Sequence, residues 1–304
     1  MPELVVPTVA DAARIAAVIN ERSRELDGAT EKSADRVARW FTDATLVAET
    51  DMRLAVGDSG AVEGYADVSG PEDGTPKAWV DLRVPSGRPE ALELLFAWAQ
   101  ARGAERAGAG GKIQFFADER DAPLRTLLDD AGHAVVRSFY AMERALEGDL
   151  VPAALPDGVL VRPFGLAHAM AVHAAQNEAF ADHWGYTPSS FERWCALNLP
   201  DGEDTSFWRV AWDGGDVAGL CINRPCHGED ETVGWVDVLA VRRPWRRRGL
   251  GEALLGESFR AFAEHGKRTA GLGVDAENTT GAVSLYERVG MHVVRRSDTW
   301  ERLA

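Results

Sequence analysis

The segment Ala78-Trp79-Val80-Asp81 returns as Gly234-Trp235-Val236-Asp237, the sharpest of four echoes spaced by about 155 residues. Val5-Val6-Pro7, before a helical run ending Asn20-Glu21, is answered by Val161-Arg162-Pro163 before a run ending Asn177-Glu178. Two hairpin patterns correspond, with turns at Asp58-Ser59-Gly60 and Asp213-Gly214-Gly215. Gly132-His133-Ala134-Val135-Val136-Arg137 matches Gly290-Met291-His292-Val293-Val294-Arg295. A repeat this long exceeds a solenoid unit and suits two whole domains. The 304 residues are therefore expected to divide into 1–148 and 149–304. The linker is read at Glu147 to Gly158, where Pro152, Pro156 and Asp157-Gly158 give turn signals.

Each copy reads as strand, helices, hairpin, strand, helix, strand, helix, strand. Trp235-Val236-Asp237-Val238-Leu239 alternates as a strand does when one face looks toward a site. The mixture predicts an α/β class fold, a mixed sheet between helices in three layers, α/β/α, built twice.

The chemistry is read from Arg246-Arg247-Arg248-Gly249-Leu250-Gly251, which follows the β-like stretch 232–241 and opens the helix-like stretch 252–264. A strand feeding a glycine-rich turn into a helix start makes an anion site, because the first helical N–H groups lack intrahelical partners and the helix dipole adds positive charge. Gly249 and Gly251 let backbone approach a phosphate with no Cβ in the way, and the arginines add forked donors. The chain has no G-x-x-x-x-G-K-[ST], so the phosphate-loop NTPase reading lacks its lysine and hydroxyl. A dinucleotide G-x-G-x-x-G after a strand is missing as well.

What remains, Arg246-x-x-Gly249-x-Gly251 after Val236-Asp237-Val238-Leu239-Ala240-Val241, resembles motif A of the GNAT family, the GCN5-related N-acetyltransferases. Downstream, Gly271-Leu272-Gly273-Val274-Asp275 and then Asn278 to Met291, with Leu285-Tyr286-Glu287, resemble the family's N…A…LYE..GF segment, Met291 standing for phenylalanine. The likeness covers roughly residues 158–304. It implies tandem acyl-CoA N-acyltransferase domains, each sheet splayed at its centre to admit coenzyme A. It also implies acetyl-CoA as co-substrate and transfer to the primary amine of a small molecule within a ternary complex. A non-catalytic acyl-CoA sensor or scaffold and a protein-lysine acetyltransferase are the other readings carried.

The copies differ. After Trp79-Val80-Asp81 the first runs Leu82-Arg83-Val84-Pro85-Ser86-Gly87-Arg88-Pro89-Glu90, with the arginine-glycine cradle lost and a carboxylate at the helix start that would compete with phosphate. Counting back from Gly132 puts Leu128 where the second copy has Tyr286. The first domain is expected to be a degenerate, non-catalytic partner.

By the resemblance, the backbone N–H of Leu239 or Ala240 faces the acetyl carbonyl and Val241 pairs with the pantetheine arm. The diphosphate rests on the amides of Arg247, Arg248, Gly249, Leu250 and Gly251, and Arg246 caps the turn. Asn278 bonds the pantetheine or its own turn. Tyr286 is the expected acid for the departing thiolate, since a phenol stays protonated at neutral pH. The base is read at Asp237, which shares a strand face with Trp235, the position that carries glutamate in several family members. Glu178, Asp182 and His183 are the other basic groups weighed. Glu178, His183, Trp184 and Trp235 are expected to face the acceptor, with Tyr186 beside them.

A net charge of −15 argues against nucleic acid, whose phosphates would be repelled. No apolar run approaches a membrane span and Met1-Pro2-Glu3-Leu4 is no signal peptide, so the cytoplasm is expected. Cys195, Cys221 and Cys226 lack metal-ligand spacing, and no metal is expected. The chain is expected to be a monomer or homodimer.

Overall fold

Apolar periodicity and capping residues set the elements of both copies. In the computed structural model, which describes every residue of 1–304 except 44, 149, 201 and 279, the chain divides into two units. Unit 1 holds Met1–Phe139 and Arg295–Ala304; unit 2 holds Tyr140–Val294. The boundary read at 148/149 falls on Asp149, which lies outside the described residues.

Unit 1 runs β1 (Glu3–Val5), α1 (Ala12–Asp27), α2 (Ala34–Trp40), α3 (Ala48–Asp51), β2 (Met52–Val56), β3 (Val62–Ser69), β4 (Lys77–Arg83), α4 (Pro89–Ala107), β5 (Lys112–Asp118), α5 (Ala122–Asp130) and the first half of β6 (Ala134–Ala145). Unit 2 takes the second half of β6, then β7 (Val159–Pro163), α6 (Ala169–Phe180), α7 (Phe191–Asn198), β8 (Arg209–Asp213), β9 (Asp216–Arg224), β10 (Val233–Val241), α8 (Leu250–Glu264), β11 (Thr269–Asp275), α9 (Ala282–Arg288) and the start of β12 (His292–Leu303). The rest of β12 belongs to unit 1. Unit 1 thus includes a second segment of sequence, Arg295–Ala304, whereas unit 2 is continuous from Tyr140 to Val294.

Strand order in unit 1 is β1-β2-β3-β4-β5-β12, antiparallel except for the parallel β4–β5 pair. Unit 2 follows the same plan, β7-β8-β9-β10-β11-β6, with β10–β11 parallel. Helices cover both faces. In unit 1, Ile15, Ile19 and Val37 pack with Leu54 and Tyr65 on one side, and Leu95, Leu124 and Leu128 with Val80 and Phe115 on the other. In unit 2, α6 and α7 bury Val172 and Trp194 against Trp208 and Ile222, while α8 and α9 bury Leu254, Phe262 and Tyr286 against Val236 and Leu272. This is the three-layer arrangement the alternation predicts, made twice. Among the described residues no helix is long and apolar enough to cross a membrane.

Ser33 and Ser190 cap α2 and α7, accepting from Arg36 N–H (3.3 Å) and Arg193 N–H (3.2 Å). His133 N–H donates to the Leu128 carbonyl (2.9 Å) as Met291 N–H donates to that of Tyr286 (3.0 Å), so the two residues occupy equivalent positions in their units.

Candidate functional site

The site of unit 2 begins where β10 leaves β11. The two strands pair from Val233↔Thr269 to Val236↔Leu272 and no further, although β10 runs to Val241 and β11 to Asp275. On its other edge β10 carries a bulge, with Val236 opposite Asn223 and Val238 opposite Ile222, so that Asp237 is the inserted residue. β4 in unit 1 has no such break: Asp81 lies directly opposite Asp67.

Arg242 N–H donates to the Ala218 carbonyl of β9 (3.0 Å). Strand geometry reverses that direction at each residue, so the N–H groups of Ala240 and Val238 also face β9. Those of Leu239 and Val241 face the side from which β11 has withdrawn. Of these two residues, Leu239 turns its N–H away from β9 and Ala240 turns its N–H toward it.

The loop beyond β10 is sharply turned. Arg247 is at φ 59°, alone among the described non-glycine residues in having positive φ, and Gly249 at φ 81° caps α8 in the left-handed region. Two left-handed residues two apart turn the backbone sharply into the start of α8, where the first helical N–H groups lack intrahelical partners. A strained non-glycine residue held at such a place is a mark of function.

The loop's arginines divide by role. Arg246 donates from Nε to the Val241 carbonyl (3.0 Å) and from Nη2 to the Ala179 carbonyl (2.8 Å), with Asp182 3.6 Å away. It ties the turn to the ends of β10 and α6, as a cap does. Arg242 pairs with Glu178 (2.7 Å) and Arg243 with Asp182 (2.9 Å). Arg247 and Arg248 are exposed and make no ion pair among the described residues.

Tyr286 is buried at 7% exposure, and burial followed by the neighbouring Cys221 raises its phenol above the ordinary value. Its hydroxyl has no hydrogen-bond partner among the described residues. Burial likewise pushes the Cys221 thiol up to about 12. Asn278 spends its Oδ1 on the backbone N–H (2.7 Å) and hydroxyl of Thr280, a turn contact, while its amide donors stay free among the described residues.

Asp237 is not a free carboxylate. Its Oδ2 accepts from Arg224 Nε at 2.7 Å, and Arg224 also holds Glu203 and, at 3.0 Å, the Asn198 Oδ1. Glu178 and Asp182 are tied to arginines in the same way. His183, in the turn after α6, lies against Phe180 with ring centroids 4.4 Å apart. Burial, then Arg246, hold its imidazole below the ordinary value, with Asp275 and Asp182 pulling the other way. Trp184 is 40% exposed. Tyr186 donates its hydroxyl to Asn177 Oδ1. Trp235 lies at the paired end of β10, stacked on His227 at 3.8 Å and covering Gly271, where a Cβ would come within 2.5 Å of the indole. The structure thus gathers Leu239, Val241 and the 246–251 loop at the end of β10, with Glu178 in the last turn of α6 and Asp182 and His183 in the turn after it, both tied to the loop by arginines; Trp235 stands further down the strand.

In unit 1 the corresponding places are filled from within. The Ser86 N–H and hydroxyl, ahead of α4, both donate to Glu25 Oε2 (2.8 and 2.9 Å), and Arg22 holds the same carboxylate (2.9 Å). Where β4 and β5 part after Val80↔Phe115, Arg83 pairs with Asp81 (2.5 Å) and Glu31 (3.2 Å), and Arg295 joins Glu31 (2.6 Å) and Asp27 (2.9 Å). Burial opposes ionisation of Glu31, but Arg83 and Arg295 hold its carboxyl well below the usual range. Arg22–Glu25 and Arg83–Asp81 are local, but the pairs Ser86–Glu25, Arg83–Glu31, Arg295–Glu31 and Arg295–Asp27 join residues 52 to 268 apart and were not readable in advance.

Residues 169–291 match the acetyltransferase (GNAT) family profile. The mycothiol acetyltransferase of Streptomyces coelicolor is 31% identical over 240 residues, 77% of this chain and 74% of that protein. The one from Streptomyces bingchenggensis is 28% identical over 295 residues, 87% and 91% of the two chains. Among solved structures, a GCN5-related N-acetyltransferase from Sphaerobacter thermophilus superposes with a TM-score of 0.77 at 29% identity, covering 99% of this chain and 95% of that one. A tandem GNAT protein from the clavulanic acid biosynthesis pathway shares the fold at the same TM-score of 0.77 and 14% identity, over 100% and 98% of the chains. Likeness at this level reaches well beyond residues 169–291 into the first half, and by it the chain belongs to the acetyltransferase (GNAT) family.

Proposed function

We propose that the protein transfers acetyl from acetyl-CoA to a primary amine of a small molecule, by direct attack with both bound. The observation that carries this reading is the parting of β10 from β11 directly before a sharply turned, arginine-bearing loop at a helix start. Acetyl-CoA supplies an activated acyl group on an anionic handle. The amides of 247–251, with the guanidinium groups of Arg247 and Arg248, would take the diphosphate. The Val241 backbone would pair with the pantetheine arm and Asn278 Nδ2 would add a donor. The Leu239 N–H, fixed in a strand, would stabilise charge on the acyl oxygen without reorganising. Tyr286 would give the leaving sulfur its proton.

Unit 1, in this reading, binds no acyl-CoA. Glu25 already occupies its loop amide, the parting of its strands holds an ion cluster, and Leu128 replaces the phenol.

The relatives' name favours a narrower form, in which the acceptor is the amine of desacetylated mycothiol. Trp235, standing where several family members have glutamate, means the acceptor side need not be shared with them.

Titration calorimetry with acetyl-CoA and thiol release across an amine panel that includes desacetyl-mycothiol test the proposal. The expected result is one acetyl-CoA per chain, weakened by Gly249→Asp, and turnover on at least one amine. Unchanged affinity in that variant would refute the cradle.

A further inference from the structure

We propose that His183 is the general base that takes the proton from the acceptor ammonium. The inference rests on the acetyl-CoA reading above and names a residue for it. Of the basic groups around β10, Asp237, Glu178 and Asp182 each have an arginine within ion-pairing distance, at 2.7, 2.7 and 2.9 Å. The ring nitrogens of His183 have no hydrogen-bond partner among the described residues.

Position supports the role as well as availability. Arg246 acts electrostatically on His183, and the same Arg246 is anchored on the Val241 carbonyl at the end of β10. Asp275, the last residue of β11, acts on it too. Asp182, the residue before His183, lies 3.6 Å from Arg246, and Arg246 donates to the Val241 carbonyl (3.0 Å), so the turn that carries the imidazole is tied to the end of β10. That turn is held in place, since the His183 N–H donates to the Phe180 carbonyl (2.8 Å) and its carbonyl accepts from Tyr186 N–H (3.2 Å).

The charged groups acting on His183 are Arg246 from the cradle loop, Asp275 from β11 and Asp182 from its own turn. Burial and Arg246 outweigh the two carboxylates, so the imidazole is neutral at pH 7 and able to accept. Two protons leave nitrogen in the reaction. The first passes from ammonium to His183 and on to solvent, freeing the lone pair that forms the C–N bond as the C–S bond breaks. The second, lost as the amide forms, replaces the one Tyr286 gives to sulfur. One proton is released overall.

The test compares His183→Gln, His183→Ala and Asp237→Asn in the full-length protein. The expected outcome is a fall in kcat of about 100-fold for both His183 variants at pH 7, with loss of the acidic limb of the kcat profile. Acetyl-CoA affinity should stay within threefold of wild type, and added imidazole should restore part of the rate in His183→Ala. Asp237→Asn should keep the limb. In the protein without acetyl-CoA, the imidazole resonance missing from the His183→Gln spectrum should titrate below the ordinary midpoint of about 6.5. A His183 variant within threefold of wild-type kcat, or an acidic limb that survives in it and vanishes in Asp237→Asn, overturns the assignment. A wild type that binds acetyl-CoA but acetylates no amine overturns the functional reading and this one with it; turnover with an intact limb in His183→Gln sinks this one alone.

Discussion

Arg224 Nε lies 2.7 Å from Asp237 Oδ2, joining β9 to the bulge at which β10 turns away from β11. Arg224 is only 7% exposed and also holds Glu203, so one guanidinium neutralises two carboxylates beside the parting of the strands. Arg224→Met should therefore lower unfolding free energy by about 3 kcal/mol, because two carboxylates lose their buried partner. Urea denaturation at pH 7 measures it. An unchanged midpoint would mean the cluster contributes nothing.

Arg247 holds a backbone conformation that suits glycine better, at φ 59°. Arg247→Gly should leave stability unchanged or raise it by up to about 1 kcal/mol, since relief of strain competes with a more flexible unfolded chain. The same change should weaken acetyl-CoA about tenfold through the lost charge. Calorimetry and thermal melts on one preparation separate the two effects.

Tyr286→Phe should keep the fold and the affinity for acetyl-CoA while lowering kcat by about 100-fold. A phenol acts as an acid only while protonated, so a raised value moves its basic limb above the ordinary value of about 10. No loss of rate below pH 9 should be traceable to it. A kcat unaffected by the substitution would reduce Tyr286 to packing.

Asp67 is buried opposite Asp81, and burial, then that like charge, push its carboxyl up to about 8. The folded state thus holds a proton that the unfolded chain releases near pH 4. Stability should fall as pH rises from about 4 to 8, because the folded form must give up that proton or bear a buried charge. Asp67→Asn keeps an acceptor for the Tyr65 hydroxyl, now at 2.9 Å, and should flatten the decline. Melting temperatures at pH 5 and pH 8 decide it; parallel declines in both proteins would refute the account.

Truncation after Val294 removes the residues of β12 that pair with β5 from Ser297↔Asp118 to Leu303↔Lys112, together with Arg295. Unit 1 should then lose its sixth strand and become open to proteolysis within residues 1–139, although all of that sequence is present. A shortened protein with an intact protection pattern would show that the strand is dispensable.

Much of this was legible in residue order. The cradle is local, since Arg246 to Gly251 specify a turn and a helix start through their own backbone preferences. The repeat aligned Tyr286 with Leu128 correctly because both copies keep the same glycine a few residues on. The difference between the two copies at this loop was readable only in part. Glu90 was the visible competitor for the first copy's helix start, whereas the carboxylate that reaches the loop is Glu25, 61 residues from Ser86.

By itself the sequence determined the elements, their doubling and the place of the arginine-glycine turn that opens α8, since helix caps, strand alternation and glycine turns act over a few residues. Tertiary structure alone decided that the last ten residues complete the first unit, that Asp237 meets Arg224, and that the His183 nitrogens find no hydrogen-bond partner among the described residues. Those outcomes depend on which distant groups share a buried space, where an unpaired charge is costly and any nearby opposite charge is recruited.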